Sequence, residues 1–196
     1  MPQSTFSVTL TSEFELITSV PLPSRSGITQ LYKAANLADA YAVCLPAGTS
    51  NNPEVLARFI FAHQPSWISW LMKMRDMIVA CFGLKTGKHL ATLPNRVGFF
   101  KVYNTTQNEI ILGEDDKHLD FRISILHSAE AQPNGSHQLV VTSVVHCHNL
   151  LGRAYIFIIA PFHRMVVKAS LLRAARLGWP QTKGSASGAN LARTSI

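Results

Sequence analysis

Hydrophobic and polar positions trade places every second residue across the middle of the chain, and every third or fourth residue on either side of it. From Arg96 onward, Val97, Phe99, Lys101 and Tyr103 alternate with Gly98, Phe100 and Val102. Residues 104–108, Asn-Thr-Thr-Gln-Asn, then turn the chain, and Glu109 to Leu112 run back as far as Gly113. This pattern predicts a β-hairpin. In the next strand, His118 to Leu126, Leu119, Phe121, Ile123 and Ile125 lie on one side and His118, Asp120, Arg122 and Ser124 on the other. A Gln-Pro-Asn-Gly-Ser turn at residues 132–136 leads into a β-branched strand over residues 138–148, which completes an antiparallel meander. Ahead of it, Ala38 to Leu45 reads as a short strand halted by Pro46.

The longer period marks the helices. One begins near Pro53 and gathers Leu56, Phe59, Ile60 and His63 on one face. A second opens at Pro65 and Ser66 and ends near Phe82, with an apolar stripe of Trp67, Trp70, Leu71, Met74, Met77, Ile78 and Cys81. Leu150 to Leu177 is rich in helix formers and long enough for roughly seven turns, with a kink expected at Pro161 and a stop at Gly178, Trp179 and Pro180. The order predicts an α+β fold: a curved antiparallel sheet wrapped around a long, kinked C-terminal helix, with two short helices after the first strand. Residues 1–35 form an arm of uncertain structure, residues 36–178 the domain, and residues 179–196 a flexible basic tail.

A chain of 196 residues that is 47% apolar and 15% charged supplies one sizeable core, which excludes disorder, collagen and coiled coil. The net charge of +7 is unevenly spread: residues 1–130 balance, and beyond Ala131 there is no acid, so Arg153, Arg164, Lys168, Arg173, Arg176, Lys183 and Arg193 carry the excess. This basic third lacks the aromatic interleaving of a nucleic-acid binder, and no nucleic-acid partner is expected. Cys44, Cys81 and Cys147 have neither disulfide nor zinc spacing. With no secretory pattern at the N-terminus and an apolar run of only nine residues at Ala154–Phe162, the expectation is a soluble, cytoplasmic protein.

Three stretches share a family's wording: Val97-Gly-Phe-Phe-Lys-Val102, Ile111-Leu-Gly-Glu-Asp-Asp-Lys-His-Leu-Asp-Phe-Arg122, and His148-Asn-Leu-Leu-Gly-Arg-Ala-Tyr155 running on to Pro161-Phe-His-Arg164. They resemble the bacterial family DUF2867, over roughly Asn36 to Arg176. The resemblance implies a helix-grip fold (START, polyketide cyclase, SRPBCC), in which sheet and C-terminal helix enclose an apolar cavity. No G-x-G-x-x-G follows a strand, so no nicotinamide site is carried over and no cofactor is expected.

Three constellations carry candidate chemistry. His118, Asp120 and Arg122 project from one strand face, where a carboxylate between an imidazole and a guanidinium suits acid/base work or anion binding. His146 and His148 share a face of the following strand, but two imidazoles fall short of a metal site and no metal is expected. His163 and Arg164 follow Pro161, whose ring leaves a helix carbonyl free. The leading reading is a domain that holds a small apolar or amphipathic molecule between sheet and terminal helix. Phe99, Tyr103, Phe121, Tyr155, Phe162 and His163 would line the space, with Arg122 as polar anchor. The alternatives are a hydrolase or cyclase-type enzyme using Asp120 or His146 as base with Arg122 steadying negative charge, and a peripheral membrane protein that binds lipid through the basic helix.

Overall fold

The computed structural model describes residues 16–71, 73, 95–128 and 137–182. Its centre is a seven-stranded sheet of β1 (Ile17–Ser19), β2 (Leu37–Leu45), β3 (Arg96–Val97), β4 (Phe100–Thr105), β5 (Glu109–Asp115), β6 (Leu119–His127) and β7 (His137–Cys147). The order across it is β1-β2-β7-β6-β5-β4-β3, with every neighbouring pair antiparallel. The meander from β3 to β7 follows the alternation in the sequence, and its last strand pairs with β2 along the full length from Leu37↔Val145 to Leu45↔His137. On its other side β2 meets β1 only at Tyr41, Ala42 and Val43, so among the described residues no strand pairs with the part of β2 nearest Leu37 on that side, which is an open edge there.

One sheet face packs against two helices. α1 (Pro53–Ala62) starts where the Asn52 side chain accepts from the backbone N–H groups of Glu54 and Val55, and it buries Leu56, Ala57 and Ile60. α2 (Leu150–Leu177) is capped by Asn149, whose side chain accepts from Gly152 N, and stops at Gly178. Leu171 and Ala174 of α2 meet α1, Tyr41, Val43 and Leu45 of β2, Leu139 and Val141 of β7, Ile125 of β6, and Ile110 and Leu112 of β5 in the main core. A second, smaller cluster lies under the first half of α2, where Ile156, Tyr155 and Ala160 meet Leu37, Leu119, Phe121, Val145 and Cys147.

The opposite face is also covered. Val20 and Leu22 pack on Ala40, Ala42 and Val140, and the fully buried Ile28 packs with Tyr32 on Ile111 and Val144. The arm to which the sequence assigns no firm structure thus contributes β1 and much of the cover of the outer face. Buried Glu109 ties it down, accepting from Ser26 Oγ at 2.6 Å and from Gly27 N at 3.1 Å, while Ser124 Oγ donates from the sheet.

Three expectations change. Phe99 is not a strand residue: Gly98 takes φ +60, a left-handed value that tightens the turn between β3 and β4, and Phe99 sits exposed on that turn. In the helix expected from Pro65, residues 66–71 are helical, but Ile68 is the buried side chain while Trp70 stands 62% exposed; the remainder of that stripe lies outside the described residues. The expected tail is anchored at its start. Trp179 is buried against Phe59, Ser50 N donates to Pro180 O, and Thr182 N donates to Gly48 O.

Candidate functional site

Strand parity puts Asp120 and Arg122 of β6 and His146 of β7 on the outer face, away from α2, because Leu119, Phe121 and Ile123 take the helix side. There Arg122 reaches Asp115 at 2.7 Å and lies 3.6 Å over the Tyr103 ring, and Tyr103 donates its hydroxyl to Asp115 at 2.7 Å. Gly113, paired with Arg122, makes this possible, since a Cβ there would stand 2.9 Å from the Arg122 chain. Burial pushes the Asp115 carboxyl upward, but the hydrogen bonds from Tyr103 and Arg122 outweigh it and hold the group below the usual carboxylate range. Burial and the bond to Asp115 drive the Tyr103 phenol well above its ordinary value.

The imidazoles beside this group are engaged as well. His148 Nε2 stands 3.1 Å from Asp120 Oδ2, within ion-pair distance. His146 donates Nδ1–H to the Ala34 carbonyl at 3.0 Å and stacks on Tyr32. The two rings stand 5.4 Å apart. His118 precedes β6 rather than joining its polar face, and its Nδ1 accepts from the capping residue Asn149 at 2.9 Å. Among the described residues, no group of three or more His, Cys, Asp or Glu side chains could hold a metal ion. Burial raises the Cys147 thiol, which leaves it a poor nucleophile.

These placements split the expected lining. Phe121 and Tyr155 meet between sheet and α2. Tyr103 and Arg122 are on the other side of the sheet, and so cannot face a molecule held against α2. Phe162, 45% exposed, and Phe99 on its turn face solvent. His163 faces the sheet, and what it meets there is a residue the sequence reading passed over.

That residue is Asp39. In β2 it falls on the helix side with Leu37, Tyr41, Val43 and Leu45, a carboxylate at an apolar register position, and its side chain is only 9% exposed. His163 Nε2 stands 3.6 Å from Oδ1 and Arg164 Nε 3.6 Å from Oδ2, too long for hydrogen bonds. Both Asp39 oxygens and His163 Nε2 are buried with no hydrogen-bond partner among the described residues. Burial, and then the Asp39 charge, push the neighbouring Tyr41 phenol upward. Two open grooves meet at Arg164. One, of about 460 Å³, runs past Asp39 and Tyr41 between the open edge of β2 and Val20–Leu22. The other, of about 430 Å³, runs between Leu37 and the α2 residues Arg153, Ile156, Phe157 and Ala160. The strand alternation carried the signal for Asp39; its partners on α2 come from tertiary packing.

With this geometry in place, the class of the chain is that of an open antiparallel sheet crossed by a long C-terminal helix, with a polar group at the crossing. The chain belongs to the DUF2867 family, a family of proteins of unknown function, whose model matches residues 31–170. No curated protein and no solved structure matches it.

Proposed function

We propose that this protein is a helix-grip-type domain that binds a small amphipathic molecule where α2 crosses β2. The head of the ligand would donate a hydrogen bond to Asp39 and accept one from Arg164 or His163, and its apolar body would lie along Leu37, Ile156 and Phe157. The observation that carries this reading is the Asp39 carboxylate, nine-tenths buried, beside the His163 Nε2, both without a hydrogen-bond partner among the described residues, close to where two grooves meet at Arg164. A buried carboxylate whose hydrogen bonds are not made costs about 1–3 kcal/mol or more, and a bound donor would offset that cost. The sheet order and the long helix laid across one face support the helix-grip comparison. The hydrolase or cyclase alternative has less behind it, because Arg122 is occupied by Asp115 and Tyr103, and the proton on His146 Nδ1 by Ala34.

The test is native mass spectrometry of the purified full chain, followed by calorimetric titration with 3-hydroxydodecanoate and with dodecanoate. A co-purified small molecule or binding of the hydroxy acid is expected, and Asp39→Asn should weaken binding by about 10-fold or more, the loss of one hydrogen bond to a charged group. The same substitution should leave the Tm unchanged or raised, because it removes a buried charge. No co-purified molecule together with no binding of either acid, or binding that Asp39→Asn leaves intact, would overturn the proposal.

A further inference from the structure

α2 is built as two halves. Beyond Met165 it is buried through Ser170, Leu171 and Ala174, whereas from Leu150 to Met165 it carries large apolar side chains that the fold leaves in solvent: Leu150 at 79% exposure, Phe157 at 84%, Ile158 at 62% and Met165 at 48%. At about 100° per residue, these four point within about 60° of a single direction, opposite to the buried Gly152, Ile156 and Ala174. They make a stripe about 22 Å long, from the rise of an α-helix. Phe at this exposure is unusual for a side chain whose full burial is worth roughly 1.5–3 kcal/mol, and a contiguous apolar stripe marks a contact surface.

The charge around the stripe decides what it meets. α2 contains no Asp or Glu, and Arg153 and Arg164 both fall along one border of the stripe, with Lys168, Arg173 and Arg176 further along the helix. A second copy docked helix to helix would set one row of cations against another, whereas an anionic lipid surface supplies the opposite charge together with hydrocarbon for the side chains. By length and composition α2 could cross a membrane, with a hydropathy of 1.4 over its most apolar window. Its inner face is nevertheless fastened to the sheet through Ile156, Leu171 and Ala174, so the helix can only lie flat.

We infer that α2 seats this protein on anionic membranes, its Leu150–Met165 stripe entering the headgroup boundary and its bordering arginines meeting lipid phosphates. Arg153, Phe157 and Arg164 line the neighbouring groove as well and would open it toward the lipid, whereas Leu150, Ile158 and Met165 do not line it, so the contact stands on them whether or not the groove is filled.

The experiment is co-sedimentation of the full chain with phosphatidylcholine vesicles, with and without phosphatidylglycerol, at low and high salt. Binding is expected only with the anionic lipid and should fall as salt rises. The double substitution Phe157→Ser, Ile158→Ser should weaken it about tenfold or more, with an unchanged circular dichroism spectrum and Tm, since both side chains are exposed. Arg153→Ser should weaken it less. No binding to anionic vesicles would overturn the inference, as would equal binding by the double variant. A dimer in sedimentation velocity that the double variant converts to monomer would also overturn it, because a second copy would then own the stripe.

Discussion

His127, at the end of β6, is 3% exposed and neither ring nitrogen has a hydrogen-bond partner among the described residues, while the His137 ring lies 5.0 Å away at the start of β7. Burial first, and the charge of a protonated His137 second, hold its pKa below the ordinary histidine value. The unfolded chain therefore takes up the proton at a higher pH than the folded one. Stability is complete above the unfolded value of 6.5 and drains away as the pH falls through the lower folded one. The Tm should drop as the pH is taken from about 7 to 5, and His127→Phe should flatten that part of the curve. A profile identical to that of the unmodified protein would show that His127 is not the group being titrated. Single residues were legible to different depths. That Asp120 and Arg122 share a face follows from alternation alone. That Arg122 chooses Asp115, and Asp120 chooses His148, follows from the diagonal space above Gly113 and the pairing of β6 with β7, which one strand's pattern does not contain. Asp39 was open to the same reasoning as Asp120, as an acid in register with Leu37, Tyr41, Val43 and Leu45 on an apolar strand face.

At the scale of elements, the period of the apolar positions located the strands of the meander, α1 and the full extent of α2. It missed what depends on one backbone angle or on distant partners. Gly98 at φ +60 divides what reads as one continuous strand into β3 and β4, and β1 exists only because three residues of the arm find the edge of β2. Nor does apolar character alone separate the two halves of α2, since Leu, Ile and Phe run through the first and Leu, Val and Ala through the second; the contacts of the fold separate them. The contrast is measurable. Leu171→Ala removes a 1%-exposed side chain that joins α2, α1 and the sheet, and should cost about 2–5 kcal/mol in denaturant unfolding. Phe157→Ser, fourteen residues earlier on the same helix, should fall within about 0.5 kcal/mol of the unmodified protein. Equal costs at the two positions would mean that the first half of α2 is as deeply packed as the second.

For the whole molecule, the sequence divides at residue 35 and the packing does not. An antiparallel sheet can leave one face to water, and the polar row of Asp120, Arg122 and Ser124 suggests that it does here. Yet Ile111, Val140 and Val144 on that face are each less than a tenth exposed, because Val20, Leu22, Ile28 and Tyr32 lie over them. A fragment beginning at Asn36 would uncover these side chains and strip Glu109 of Ser26 and Gly27, leaving a buried carboxylate with Ser124 as its remaining donor among the bonds described. It would also deprive β2 of β1 and lengthen the open edge that already runs past Asp39. Each lost hydrogen bond to a charged group costs roughly 1.5–3 kcal/mol, and the newly exposed apolar area adds to it, so the sum is a large part of the roughly 5–15 kcal/mol that holds a domain together. The fragment should aggregate or unfold at a markedly lower Tm than the full chain, as read by thermal scanning of both. Ser26→Ala in the full chain should give a smaller loss in the same direction, about one hydrogen bond's worth. If the fragment melts where the full chain does, the outer face tolerates water, and the residues that cover it are an appendage rather than a layer of the fold.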